Sequence, residues 1–181
     1  MAAVETPSLI IQRLPSAALS PSTATAVRAL CESAYEEDLA KYFDALGPGE
    51  HLLGWQDGTL ASHLMWVTRW LQPGDRPLLR TAYVELVATA PAMQRRGYAS
   101  TLLKYFPSQV TDFDIAALSP ATENLYVRQG WRLWRGPLAV RTTDGLVPTP
   151  DEEIMVLLLP RSPMLNSDLP LSVEWRDGEV W

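Results

Sequence analysis

Tyr83-Val84-Glu85-Leu86-Val87-Ala88 leads across a short loop into Gln94-Arg95-Arg96-Gly97-Tyr98-Ala99. Thr81–Ala88 reads as a strand, being rich in β-branched and aromatic residues. Ala99, Leu102, Leu103 and Phe106 follow at helical spacing, and Pro107 ends that helix. Strand, loop and helix start therefore come in immediate succession. A helix N-terminus presents unpaired N–H groups and the positive end of a dipole, a suitable seat for a pyrophosphate. Gly97 and Ala99 leave room for a close backbone approach, and Arg95 and Arg96 add positive charge. The loop lacks the Gly-Lys-Ser/Thr ending of nucleotide-hydrolase phosphate loops.

Working outward, Leu9–Arg13 reads as a first strand and Pro21-Ser22-Thr23 as a helix start. Val27, Leu30, Cys31, Ala34 and Tyr35 form one apolar stripe, with the acidic Glu36, Glu37 and Asp38 at or beyond its end. After Gly47-Pro48-Gly49 come a strand, His51–Trp55, a hairpin turn at Asp57-Gly58, and a return strand, Thr59–Trp70. Downstream, Ile115–Leu118 reads as a strand. Ser119-Pro120 reads as the N-cap and first residue of a helix that reaches Gln129 and stops at Gly130. Trp131–Trp134 and Leu138–Thr142 read as strands, and after the turn at Asp144-Gly145 the return strand is expected at Ile154–Leu159. The order β-α-β-β-β-α-β-α-β-β predicts a mixed α/β fold on one sheet. Residues 1–181 are expected to form a single domain, with 160–181 as a polar, proline-containing C-terminal tail packing near the substrate site.

A net charge of −6 offers no basic excess to neutralise phosphates, which argues against nucleic acid or an anionic membrane as partner. It suits a cationic small molecule. No stretch reaches the roughly 18 apolar residues that span a bilayer, and Met1–Leu14 has neither the basic start nor the apolar run of a signal peptide. The single cysteine, Cys31, points to a reducing cytoplasm and to a buried spacer rather than a nucleophile. His51 and His63 have no metal-like spacing, so no metal site is expected.

Gln94-x-x-Gly97-x-Ala99, placed between such a strand and an amphipathic helix, resembles the coenzyme A pyrophosphate loop of the GNAT superfamily. Leu125-Tyr126-x-x-x-Gly130-Trp131 resembles that superfamily's tyrosine helix. Within it, Gly130–Pro137, Thr149–Glu153 and the ending Trp175-Arg176-Asp177-Gly178-Glu179-Val180-Trp181 resemble the aminoglycoside 2'-N-acetyltransferases, as does Tyr83-Val84-Glu85. Three features depart from that branch. Glu37-Asp38-Leu39 stands where its members carry Gly-Asp-Phe, the stretch from Ser119 to Tyr126 is shorter, and the asparagine usual one or two turns before the tyrosine is not seen. These departures admit a divergent branch acting on kasugamycin.

The resemblance implies a single mixed-sheet GNAT (acyl-CoA N-acyltransferase) fold of the α/β class with flanking helices. It implies acetyl-CoA as donor, an aminoglycoside as acceptor, antibiotic resistance as outcome, and a homodimer. The cofactor would be held by the main chain of Val87, Ala88 and Thr89 and by Gln94, Arg95, Arg96, Gly97, Tyr98 and Ala99, with an N–H near Val87 as oxyanion donor. Two-residue alternation puts Tyr83, Glu85 and Val87 on one strand face and Val84, Leu86 and Ala88 on the other. Glu85, a carboxylate amid an apolar run, is the expected base, acting through a water, and also a substrate contact. Tyr126 is the expected acid, because a phenol with pKa about 10 is protonated at neutral pH. Direct transfer needs no side-chain nucleophile. Asp38, Asp151, Glu152 and the Trp181 carboxylate are candidate acceptors for the drug's ammonium groups. Two alternatives stay open: a GNAT enzyme for another small amine, a polyamine or a protein N-terminus, and a non-catalytic acyl-CoA-binding module.

Overall fold

The computed structural model of this chain describes residues 9–181, so the reading of Met1–Leu14 falls largely outside it. Backbone proximity groups the described residues into two compact units. One runs to Trp66 and adds Glu85–Phe106; the other comprises Val67–Val84 and Pro107–Trp181.

In the first unit, strand β1 (Ile10–Pro15) pairs antiparallel with β2 (Glu50–Gln56), which pairs antiparallel with the first part of β3 (Thr59–Pro73). The β2–β3 hairpin closes through Asp57 (φ 49°) and Gly58 (φ 78°). Positive φ at both central residues is the twist that matches a right-handed hairpin. Helix α1 (Pro21–Tyr35) starts where Ser20 accepts the Thr23 N–H at 3.1 Å, with Pro21 in the first turn, and it buries Val27, Leu30 and Cys31. A second helix, α2 (Ala40–Leu46), follows it. Helix α2 carries no periodic signal, since seven residues are two turns and only Leu46 among them is buried. The end of strand β4 (Leu79–Thr89) leads through the loop to helix α3 (Tyr98–Tyr105), whose Leu102 and Leu103 are buried. Trp66 meets Phe106 edge-on, ring centroids 5.4 Å apart.

In the second unit the remaining strands are β5 (Ile115–Leu118), β6 (Arg132–Leu133), β7 (Leu138–Thr142), β8 (Gly145–Pro148), β9 (Met155–Leu158) and β10 (Leu171–Glu174). The sheet order is β6-β9-β5-β4-β3-β10-β7-β8. It is mixed: β4 runs parallel to β5 and β10 parallel to β7, while β9 is antiparallel to β5 and β6. The mixed sheet with helices agrees with the expected class.

Four sequence readings need correction. Helix α4 (Glu123–Val127) begins after Thr122, not at Ser119-Pro120. Thr122 is extended and a good cap residue, and this start puts Glu123 in the first turn, where a negative charge suits the dipole. The helix ends before Gln129, and Gly130 (φ 88°) supplies the left-handed stop beyond it. The Asp144-Gly145 turn returns directly into β8, which pairs with β7; Met155–Leu158 instead pairs with β5 and β6. The polar tail contains β10, whose Leu171 and Val173 are buried.

Candidate active site

Glu85 is only 7% exposed. The Tyr42 hydroxyl, carried by α2, donates to its Oε2 at 2.6 Å. A buried carboxylate is costly unless hydrogen-bonded, and this short bond is of the charge-assisted kind. Sequence reading missed Tyr42 because it missed α2.

Leu86, the next residue, has φ 50°. A left-handed non-glycine residue inside a strand costs about 1 kcal/mol or more and marks a bulge. Strict alternation of faces therefore does not run through Leu86, and Val87 is not simply on the face of Glu85. The carbonyls that follow are held by side chains. His63 Nδ1 lies 2.9 Å from the Leu86 oxygen. Tyr35 donates to Val87 O at 3.2 Å, Ser62 to Ala88 O at 2.9 Å, and Gln94 Nε2 to Thr89 O at 3.5 Å. Behind His63, His51 Nδ1 sits 2.9 Å from His63 Nε2, and Ser16 Oγ 2.9 Å from His51 Nε2. Burial lowers His51 to about 4 and His63 to about 3, so both are neutral at physiological pH. Cys31 Sγ lies 3.5 Å from His63 Nδ1, and burial raises its thiol to about 12. It stays protonated and is no nucleophile.

Beyond Thr89, a turn at Pro91–Met93 leads to Arg95, also left-handed at φ 61°, and to Gly97 at φ 81° as the N-cap of α3. Gly97 has no side chain to occupy the first amides of the helix, and a Cβ there would meet nothing within 4 Å. The glycine is thus required by its backbone angle rather than by crowding from this chain. Arg95 and Arg96 are exposed, with Arg96 reaching back to Ala92 O at 3.4 Å. Uncapped amides, open space and two cations fit a diphosphate. The Tyr98 ring is buried at 2% exposure, which leaves its backbone facing the loop. Asp38 accepts the Ala40 N–H at 2.9 Å, a local turn at the start of α2.

In the second unit, Tyr126 on α4 is 7% exposed and packs edge-on against Trp131 at 6.1 Å. Burial raises its phenol to about 12. Asp151 is exposed and Glu152 half-buried. The Glu152 carboxyl is raised by burial and then by the charges of Glu179 and Asp151, which places these three acids in one electrostatic neighbourhood. Trp181 is 4% exposed, and its Nε1 donates to Thr149 Oγ1 at 2.8 Å. Buried Arg69 ties the same tail down: Nε donates to Glu174 Oε1 at 2.8 Å, and the guanidinium also donates to Glu174 O at 2.7 Å and Val180 O at 3.0 Å. Local spacing carries no sign of Arg69, since these partners lie over a hundred residues away.

The residues named from sequence therefore divide. Asp38, Glu85, Val87–Thr89 and Gln94–Ala99 belong to one unit; Tyr126, Asp151, Glu152 and Trp181 belong to the other. Among the described residues there is no group of three or more His, Cys, Asp or Glu that could hold a metal. None of the described helices is long and apolar enough to cross a membrane.

Comparison with known proteins adds a sequence and a structural finding. Residues 18–134 match the family model described as Acetyltransferase (GNAT) domain. The aminoglycoside 2'-N-acetyltransferase of Mycolicibacterium fortuitum is 29% identical over 172 residues, covering 90% of this chain and 87% of that protein. The GNAT family N-acetyltransferase YhbS of Escherichia coli, solved in complex with CoA, superposes with a TM-score of 0.61 at 16% identity, over 93% of this chain and 91% of that one. Eis1 of Mycobacterium abscessus gives a TM-score of 0.60 at 19% identity over 73% of this chain, which spans only 33% of Eis1. At these identities the structural likeness speaks to fold.

Proposed function

Since this chain belongs to the GNAT acetyltransferases, we propose that it acetylates the 2'-amino group of an aminoglycoside, either kasugamycin or a drug of the better-known type. Acetyl-CoA is the donor, and when bound it supplies an activated thioester. Support for the acceptor comes from the 29% identical aminoglycoside 2'-N-acetyltransferase, which aligns over 90% of this chain.

The observation that carries the reading is the buried Glu85 carboxylate with Tyr42 at 2.6 Å. It sits on β4, four residues before Thr89, where the strand gives way to the loop with the uncapped α3 N-terminus. Glu85 takes the proton of the ammonium through a water, leaving a neutral amine. Tyr126 holds a proton at Oη throughout the neutral range for the departing sulfur. The main chain of Val87, Ala88 and Thr89 orients the donor's arm. Gln94, Arg95, Arg96, Gly97 and Ala99, with the backbone of Tyr98, receive its pyrophosphate. Asp151, Glu152 and Trp181 supply acceptors for a polycationic sugar, and Asp38 is a further acceptor. In this reading residues 1–181 are a single catalytic domain whose tail, 160–181, packs near the substrate site. Antibiotic resistance, a reducing cytoplasm and a homodimer belong to the same proposal.

The deciding experiment incubates the protein and acetyl-CoA with kasugamycin, gentamicin, a polyamine and a peptide amine, and weighs the products. A singly acetylated aminoglycoside, modified at N2' by NMR, is expected. Acetylation of the polyamine or peptide alone overturns the assignment.

A further inference from the structure

Two neutral imidazoles buried in a strand pair demand an explanation, because apolar side chains fill such space without a desolvation cost. Their hydrogen bonds have one consistent direction. The Leu86 oxygen only accepts, so His63 carries its proton on Nδ1 and donates across 2.9 Å. His63 Nε2 is then a bare acceptor, and His51 must carry its proton on Nδ1 to fill it, again across 2.9 Å. His51 Nε2 is then the acceptor that the Ser16 hydroxyl, 2.9 Å away, serves in preference to the Gly49 oxygen at 3.1 Å. Ser16 Oγ is itself fixed by the Gly49 N–H at 3.0 Å. The chain starts at the end of β1 and finishes on one peptide of β4. That peptide belongs to the left-handed residue directly after Glu85.

We propose that His63, oriented by His51 and Ser16, is a positioning residue that holds the left-handed Leu86 peptide and thereby aims the Glu85 carboxylate. Its effect on catalysis rests on the reading of Glu85 as the base. A left-handed non-glycine residue persists only where its surroundings over-determine it. Here the directional N–H at its own carbonyl is the visible restraint. Val87, Ala88 and Thr89 follow the same pivot, so the restraint reaches the stretch proposed to orient the donor. The lowered imidazole values, near 4 and 3, agree with a pair that stays neutral and keeps its donor direction. The groups facing the pair are Cys31, whose thiol burial raises to about 12, and Glu50 beside His51.

The test uses two readouts. The protein has two histidines, so untagged, ligand-free protein labelled with 15N gives two imidazoles to assign. Both are expected as neutral Nδ1–H tautomers from pH 5.5 to 8. An Nε2–H tautomer at His63 overturns the chain. The second readout compares His63→Asn, whose side-chain amide keeps an N–H where Nδ1 lies, with His63→Leu, which has none. His63→Leu should lower kcat at least tenfold and loosen the Leu86 and Val87 amides in hydrogen exchange. His63→Asn should recover kcat to within about threefold of wild type and restore that protection, even if its melting temperature is no higher than that of His63→Leu. Equal loss in both variants, or loss of melting temperature alone, makes His63 a packing residue. If wild-type protein acetylates no amine, the assignment of Glu85 fails; the tautomers and amide exchange still decide whether His63 anchors Leu86.

Discussion

The hydroxyl of Tyr42 reaches Oε2 of Glu85 at 2.6 Å, from a seven-residue helix onto a strand of eleven. A donor to a carboxylate favours its ionised form. Tyr42→Phe removes that donor and leaves the ring. The acidic limb of kcat/KM should move to higher pH, because the ionised form loses its donor. Acetyl-CoA affinity should stay within about twofold. A pH profile that overlays wild type would show that Tyr42 merely fills space. Glu85→Gln, by contrast, should lower turnover by roughly 100-fold, the low end for a positioned base.

At the α3 N-terminus, charge and backbone angle separate experimentally. Arg95 and Arg96 are exposed, so Arg95→Ala/Arg96→Ala should leave the melting temperature nearly unchanged and weaken acetyl-CoA binding by roughly tenfold, as two surface ion pairs allow. Gly97→Ala should cost about 1 kcal/mol of stability, because φ 81° is unfavourable for any Cβ. It should also weaken the cofactor. Calorimetry that finds unchanged affinity in both proteins would remove this loop from the donor site.

Tyr126 keeps its proton further into alkali than a free tyrosine, because burial raises it from 10.0 to about 12. The protonated form is the one favoured by folding. Its contribution to stability is therefore complete below pH 10 and declines as pH rises from 10 toward 12. Spectrophotometric titration should show this phenol ionising late. Tyr126→Phe should slow acetyl transfer by roughly 100- to 10,000-fold, the range for general acids. Rates within twofold of wild type would leave the ring a packing role against Trp131.

The histidine pair sets an acid limit. Both folded values, about 4 and about 3, lie below the ordinary 6.5, so the unfolded chain binds more protons through that interval. Stability is complete above pH 6.5 and is lost as pH falls toward 4 and below. Thermal melts from pH 8 to 4 should decline across this range, and His51→Gln/His63→Asn should flatten the decline. A flat wild-type curve down to pH 4.5 would contradict the buried neutral pair.

Trp181 tests the tail. Trp181→Phe keeps most of the buried surface and drops the bond to Thr149, at a cost of about 1 kcal/mol. Thr149 lies two residues before Asp151, so the KM for the aminoglycoside should rise a few-fold with acetyl-CoA affinity unchanged. Trp181→Ala should cost about 3–5 kcal/mol through the cavity it leaves. Wild-type KM in the phenylalanine variant would confine Trp181 to packing.

Periodicity located most of the fold, because its signals are local. The stripe at Val27, Leu30 and Cys31 becomes the buried side of α1, and the Asp57-Gly58 turn closes its hairpin. The loop before α3 was legible for the same reason: Gly97 and the helix it caps are neighbours in sequence. What escaped was set by distance along the chain. Tyr42 meets Glu85 across 43 residues, His51 meets His63 across an antiparallel pair, and Arg69 meets Glu174 across 105. No spacing rule reports such encounters. The bulge at Leu86 was hidden for another reason: leucine rarely adopts φ 50°, so its identity argued for plain strand.

Cys31 has zero exposure and a thiol raised to about 12. A maleimide therefore finds neither access nor thiolate while α1 is in place. Modification requires that part of the chain to open first, after which the reaction is irreversible. Since the sequence holds one cysteine, each labelled molecule records one such opening. The rate of labelling in mild conditions thus clocks the excursions of this unit out of its native state, with no engineered probe and no denaturant. Acetyl-CoA and aminoglycoside, added separately, would each slow the clock only so far as they bind the closed form more tightly.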